Sequence, residues 1–333
     1  MNISKFFSYR WLCWTPAALL SLTSLVAQAA GPETAEYPNK TVRLIVPFGP
    51  GSSTDMVARI VAEEFQRELG QTFIVENRGG ANGFIGAQAA AAARPDGYTL
   101  LVSSASVHTL NPSLFRKLPY NPEKDFTPVG ATHRAYYTLT VNKDLPVNSV
   151  AELVSWLKKN PEKASYGWGA TVGQIAGAEF VKRVGVRATG IAYKSSPQAL
   201  VDLMGGQISF MFDGVPTTQT HILSNRLKGL AVTSLQRMPA LPNVPTFGEE
   251  GLKDFEYSTW AGIFAPAETP PAIVQRLSST LQKALRNPAL AKRMDECCSA
   301  ILFPTTSAEF ASYTKNDRLT WQVKLKEAGV ESE

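Results

Sequence analysis

Thr41-Val-Arg-Leu-Ile-Val-Pro-Phe-Gly-Pro-Gly-Ser-Ser-Thr-Asp55 is the stretch that decides the fold. Its first six residues read as an apolar strand. Gly49 and Gly51 break the run, and Ser52, Ser53, Thr54 and Asp55 follow at a helix entrance. From Asp55 to Leu69 the apolar residues Met56, Ile60 and Phe65 recur near one helical face, and Gly70 stops the helix. A strand, a glycine-and-hydroxyl turn and a helix together begin a β–α–β unit.

The alternation continues downstream. Strands are expected at Phe73–Glu76, Thr99–Ser103, Tyr137–Val141, Ala164–Tyr166, Ile191–Tyr193, Ile208–Phe212, Gly229–Thr233 and Tyr257–Ala265. Helices are expected at Phe84–Ala93, from the capping box Ser149-Val-Ala-Glu152 to Lys159, near Ile175–Val184, at Gln198–Met204, from Pro271 to Leu285, at Pro288–Cys297, and after the capping residues Thr306–Glu309. Repeated β–α–β units imply α/β domains with parallel-rich sheets and helices on both faces. Ligands in such sheets bind on the loops that leave the carboxyl ends of strands.

Upstream, Lys5 and Arg10 precede a mostly apolar run from Trp11 to Val26, and Ala27-Gln28-Ala29 follows as a small-x-small site. This reads as a secretory signal peptide, residues 1–29, cleaved near Ala29, with a retained membrane anchor as the alternative, so the mature protein is expected to be exported. Without it, 31 basic side chains face 28 acidic ones. That balance, with no basic run, excludes nucleic acid as a partner. The 333 residues, 44% hydrophobic and 18% charged, suit two core-forming domains. Cys297 and Cys298 survive processing and are expected to remain incidental thiols, since adjacent cysteines rarely bond.

Four loops carry candidate chemistry. The first, Pro47–Asp55, offers backbone N–H groups and hydroxyls at a helix N-terminus, which suit a carboxylate; a capped turn without ligand is the alternative. The second, Ser103–Pro112, has small hydroxyl residues, and His108 there is either a structural hydrogen-bonding group or a ligand contact. The third, Ser165–Gln174, adds Trp168, either a packing residue or a stacking face in a cleft. The fourth is Tyr193–Ser196, and Asp213 ends the strand Ile208–Phe212. No G-x-S-x-G elbow occurs, and His108, His133 and His221 lie in separate segments without metal-ligand spacing. The chain therefore reads as a binding protein rather than an enzyme, with no cofactor or metal; a secreted enzyme on a similar fold is the further alternative.

Many stretches, in order and spacing, resemble the Bug family of extracytoplasmic solute-binding receptors of tripartite tricarboxylate transporters. They include Tyr37-Pro-Asn-Lys40, Val46-Pro-Phe-Gly-Pro-Gly51, Val75-Glu-Asn-Arg78, Pro95-Asp-Gly-Tyr-Thr-Leu100, Leu118-Pro-Tyr-Asn-Pro122, Leu203-Met-Gly-Gly-Gln207, Met211-Phe-Asp213 and Leu241-Pro-Asn-Val-Pro-Thr246. The resemblance implies a two-domain Venus-flytrap periplasmic binding protein, type II-like, each domain a helix-covered mixed sheet. Domain 1 would comprise residues 37–137 and 257–333, and domain 2 residues 138–256. It also implies a periplasmic location, and that a small organic acid sits in the interdomain cleft. Its contacts would be Phe48, Gly51, Ser52, Ser53, Thr54 and Asp55, then Ser104, Ala105, Ser106 and His108. Domain 2 would add Trp168, Gly169, Ala170, Thr171, Lys194, Ser195 and Asp213. The expected partners are membrane permease subunits or, alternatively, a sensor protein, and the receptor is expected to be a monomer. Ser52-Ser53, Trp168, Ala170, Gln174 and Ser195 depart from the residues usual in the family, so the ligand itself is left open.

Overall fold

The computed structural model describes residues 36–169, 171–193 and 196–328; the leader read at residues 1–29 lies outside them. β1 (Val42–Val46) is buried at four of its five positions. Ser52 caps α1 (Ser53–Leu69) by accepting the Asp55 N–H, and Gly70 ends the helix in the left-handed region at φ 73°. The chain continues through β2 (Phe73–Asn77), α2 (Phe84–Ala91), β3 (Thr99–Ser104), a π-helical turn (Ser106–Leu110), α3 (Asn111–Leu114) and β4 (Phe126–Asn142). Next come α4 (Val150–Lys159), β5 (Ser165–Trp168), α5 (Thr171–Val184), β6 (Thr189–Ala192), α6 (Ser196–Met204), β7 (Phe210–Gly214), α7 (Val215–Leu223) and β8 (Leu227–Val232). The last section adds β9 (Ser258–Pro266), α8 (Pro271–Leu285), α9 (Pro288–Cys298), β10 (Ile301–Leu302) and α10 (Ser307–Glu327).

Among the described residues the strands form a continuous mixed sheet in the order β2-β1-β3-β9-β4-β7-β5-β6, with β8 and β10 also on β4. β1 runs parallel to β2 and β3, and β5 parallel to β6 and β7. β4 changes partners halfway. Phe126–Tyr136 lies antiparallel to β9, and Tyr137–Val141 lies antiparallel to β7 and β8. The sequence marks only the second half of β4 as a strand. The first half contains Pro128 and Gly130 and lacks two-residue alternation. It is held instead by β9, with register shifts at Pro128/Gly130 and Ala131/His133.

Helices cover both faces, as the alternating pattern requires. Val42, Leu44 and Val46 pack with residues of α1, α8 and α9 on one face. Ile45, Leu101, Trp260, Phe264 and Phe310 form the core of the other. A separate core centres on Leu139, Phe180, Phe210 and Phe212, and it takes in Trp321 and Leu325 from the end of α10. β4 and α10 thus belong to both parts of the molecule, and the chain from Tyr37 onward forms one contact unit. The architecture is the two-domain flytrap α/β fold.

One expectation about the thiols is overturned: Cys297 and Cys298 are disulfide-bonded to each other. The pair sits where α9 ends, immediately before Ser299 leaves the helix at φ 44°, and Cys298 is buried. The preference against bonding between neighbours concerns the strain on the peptide that joins them, and a helix end tolerates such departures better than a helix interior. No helix among the described residues is long and apolar enough to cross a membrane.

Candidate functional site

The carboxyl ends of β1 and β3, neighbours in the sheet, present the first two loops side by side. In the first, Asp55 is buried and its carboxylate is fully engaged. Oδ2 accepts the Gly51 N–H at 2.9 Å and Arg59 Nε–H at 3.1 Å; Oδ1 accepts from Arg59 Nη2 at 3.0 Å and Asn77 Nδ2 at 2.8 Å. Burial works to raise its pKa, but Arg59, the Gly51 N–H and Asn77 outweigh it and hold the group below the usual carboxylate range. Asn77 Nδ2 also donates to the Phe48 carbonyl at 3.1 Å, closing the loop onto β2. Asp55 therefore braces the loop. Neither Arg59 nor Asn77 was singled out from sequence. The four-residue spacing of Asp55 and Arg59 on a helix, however, is a readable ion-pair signal.

What the loop leaves free is hydroxyl. Ser53 Oγ and, on the neighbouring strand end, Ser104 Oγ are buried and have no hydrogen-bond partner among the described residues. Ser53 opens the 17-residue α1, so its hydroxyl stands at the positive end of that helix's dipole.

The second loop is braced from behind. His108 is buried, stacks on Phe264 at 3.7 Å and meets Ser103 Oγ through Nδ1 at 3.0 Å. Burial, reinforced by the charge of Arg318, lowers its pKa to about 3, so the imidazole is neutral. Tyr120 OH donates to the Val107 carbonyl at 2.6 Å, and Thr109 Oγ1 donates to the Ala105 carbonyl at 2.8 Å. His108 Nδ1 thus makes a structural hydrogen bond, while its buried Nε2 has no partner among the described residues; Ala105 is buried in the core and Ser106 opens the π-helical turn.

On the other side of the partner switch, β5 and β7 carry the remaining loops. Gly173 lets the first turn of α5 approach closely: a Cβ there would lie 2.5 Å from the Phe212 carbonyl oxygen. Asp213, buried at the end of β7, accepts from Ser196 Oγ at 2.9 Å, Gly214 N–H at 2.9 Å and Thr217 Oγ1 at 2.8 Å. Burial raises its pKa, opposed by those three donors. It ties the first residue of α6 to the first turn of α7, again as a brace. Ala170, Lys194 and Ser195 lie outside the described residues.

Trp168 pairs with Ala192 across β5 and β6. Its ring reaches back along β6, because a Cβ on Gly190 would meet Trp168 Cζ3 at 2.8 Å, and it packs on Tyr166 with centroids 5.5 Å apart. The indole therefore packs back along the sheet, over Gly190 and Tyr166. Among the described residues no group of three or more His, Cys, Asp or Glu is placed to hold a metal.

Comparison with known proteins agrees with this architecture. The family model described as "Tripartite tricarboxylate transporter family receptor" matches residues 57–315. A UPF0065 protein in the TAR-I ttuE-ttuC′ intergenic region of Agrobacterium vitis is 39% identical over 281 residues, covering 83% of this chain and 80% of that protein. An R. palustris structure with adipate matches at TM-score 0.80 and 32% identity, over 89% of this chain and 100% of that one. MatC from Rhodopseudomonas palustris with bound malate matches at TM-score 0.73 and 29% identity, over 87% and 100%. By the extent of the family-model match and of these relatives, the chain belongs to the tripartite tricarboxylate transporter receptor family, whose members include the Bug proteins.

Proposed function

We propose that the protein is an exported, monomeric receptor that captures a small organic carboxylate between its two halves and passes it to the permease of a tripartite tricarboxylate-type transporter. The observation that carries this reading is the pair of buried, unpartnered hydroxyls of Ser53 and Ser104 on adjacent strand ends beside the α1 N-terminus. Neutral donors at a helix dipole hold an anion without a counter-charge. Adipate and malate in the related structures support a carboxylate. The halves meet where β4 changes partners at Tyr136–Tyr137, and rotation there brings the Ser53 and Ser104 side toward the α5 and α7 entrances. The serine–histidine contact of the second loop, Ser103 with His108, is buried in the core, and the acid is read as held by hydrogen bonds without being transformed.

Mass spectrometry of small molecules released from natively purified protein identifies the acid, and calorimetry with a panel of small mono- and dicarboxylates ranks it. Ser53→Ala and Ser104→Ala should each weaken the best acid about five- to tenfold, the effect of one lost hydrogen bond. Wild-type affinity in both variants, no binding across the panel, or turnover of any acid would sink the reading.

A further inference from the structure

A second cavity, of about 500 Å3, lies against the partner switch and shares no lining residue with the four loops. Its floor includes Arg134 of β4 and Ser258 at the start of β9, and α10 forms one wall through Tyr313, Asp317 and Lys324. Asp254 and Glu256, from the segment preceding β9, face it from the other side.

Its charges are arranged in an unusual way. Two cations, Arg134 and Lys324, and three carboxylates, Asp254, Glu256 and Asp317, line one space. Yet among the described residues none of the five forms an ion pair within 4.0 Å, although fourteen such pairs occur elsewhere. Three of the five are held by something else. The Arg134 guanidinium lies over the Phe303 ring at 3.7 Å and near the Tyr313 ring at 4.8 Å, and its buried Nε has no partner. Lys324 Nζ donates to the Glu256 carbonyl at 2.7 Å and sits over the Tyr257 ring at 3.8 Å. Asp317 Oδ2 accepts the Trp260 indole N–H at 2.8 Å. Rings and backbone thus fix opposite charges apart across a space large enough for a small molecule.

We propose that this cavity is a second binding site, for a basic amino acid of the lysine or arginine type. A guanidinium pinned on aromatic rings is preorganised to take a carboxylate through paired N–H donors. The carboxylates of Asp254 and Glu256 take the ligand's cationic groups, and the excess of one carboxylate over the cations matches a ligand of net charge +1. A simple anion would meet three carboxylates, and a simple amine would leave Arg134 unpaired, so both bind more weakly than the amino acid.

Calorimetric titration of the mature protein with L-lysine and L-arginine tests this, with acetate and n-butylamine as single-charge fragments and L-glutamate as the charge-reversed control. Saturable binding of lysine or arginine is expected, with the fragments and glutamate much weaker. Arg134→Gln and the partly exposed Glu256→Gln should each cost roughly ten- to a hundredfold, the loss of a charge-assisted hydrogen bond. Circular dichroism of each variant establishes that it is folded, and Glu256→Gln decides the matter if Arg134→Gln is not. The Trp260 and Trp321 indole N–H resonances should shift during the titration. No binding of either amino acid up to about 10 mM, or binding that Glu256→Gln leaves unchanged, would overturn the proposal. A failed search for a cleft carboxylate would leave this site unaffected, because the two share no residue.

Discussion

Asp55, in the first turn of α1, and Asp213, at the end of β7, each brace a helix entrance, yet their surroundings push them in opposite directions. Asp55 is held low by Arg59, the Gly51 N–H and Asn77. Its contribution to stability is therefore present above the unfolded value of about 3.9 and is lost as the pH falls through the depressed folded value. Asp213 is raised by burial, so its ionisation favours the unfolded chain, and stability drains as the pH rises from about 3.9 through the raised folded value. Thermal melts between pH 3 and 7 should show Asp55→Asn below wild type at neutral pH, with the gap closing in acid. Asp213→Asn should lose least at neutral pH, with its disadvantage growing in acid, so matching profiles for the two variants would contradict this account. Trp168→Ala should cost roughly 2 kcal/mol, less than the loss of a fully buried Trp, because its partly buried ring packs on Tyr166 and Gly190. Calorimetry should find benzoate-type and succinate-type acids affected alike. The sequence showed where these residues stand but not where they point. An aspartate at a helix entrance reads as a ligand contact until Asn77, from a neighbouring strand, is seen to occupy it.

At the scale of elements, Ile208–Phe212 was legible because a strand buried on both faces is apolar almost throughout, whereas Thr41–Val46 and Phe73–Glu76 were legible from their β-branched and aromatic residues although Arg43 and Ile74 are exposed. Helix entrances were harder. α5 begins at Thr171 and α6 at Ser196, earlier than the apolar period suggests, because Gly173, Ser196 and their neighbours add nothing to that period. The first half of β4 was illegible for a tertiary reason: only β9, more than a hundred residues later, gives Pro128 and Gly130 a strand to lie on. Gly173 makes a further element-scale prediction. Gly173→Ala would place a methyl against the Phe212 carbonyl and lift the first turn of α5 off β7. Intrinsic propensity alone would favour the alanine by about 1 kcal/mol, so a drop in melting temperature isolates the close approach, and a rise would show that the helix yields freely.

Across the whole molecule, two connections bind the halves besides the return strand β9: β4, which pairs on both sides of Tyr136–Tyr137, and α10, with Phe310 in one core and Trp321 and Leu325 in another. This threading has a consequence for the order in which the chain can assemble. β3 and β4 do not touch in the sheet, and β9 is the strand that fits between them. A chain appearing from its amino end therefore holds β1 to β3 with an uncovered edge until residue 266 has emerged. The intervening stretch from β5 to β8 needs only the second half of β4 to complete its own pairing. It should be the first part to acquire protected amides in pulse-labelled refolding, with β1 and β3 gaining protection together with β9. Early protection of β3 in a chain truncated before Ser258 would reverse that order. A chain built this way carries a sticky, half-made sheet until its last third is available, which would make it a natural client for chaperones that hold rather than fold.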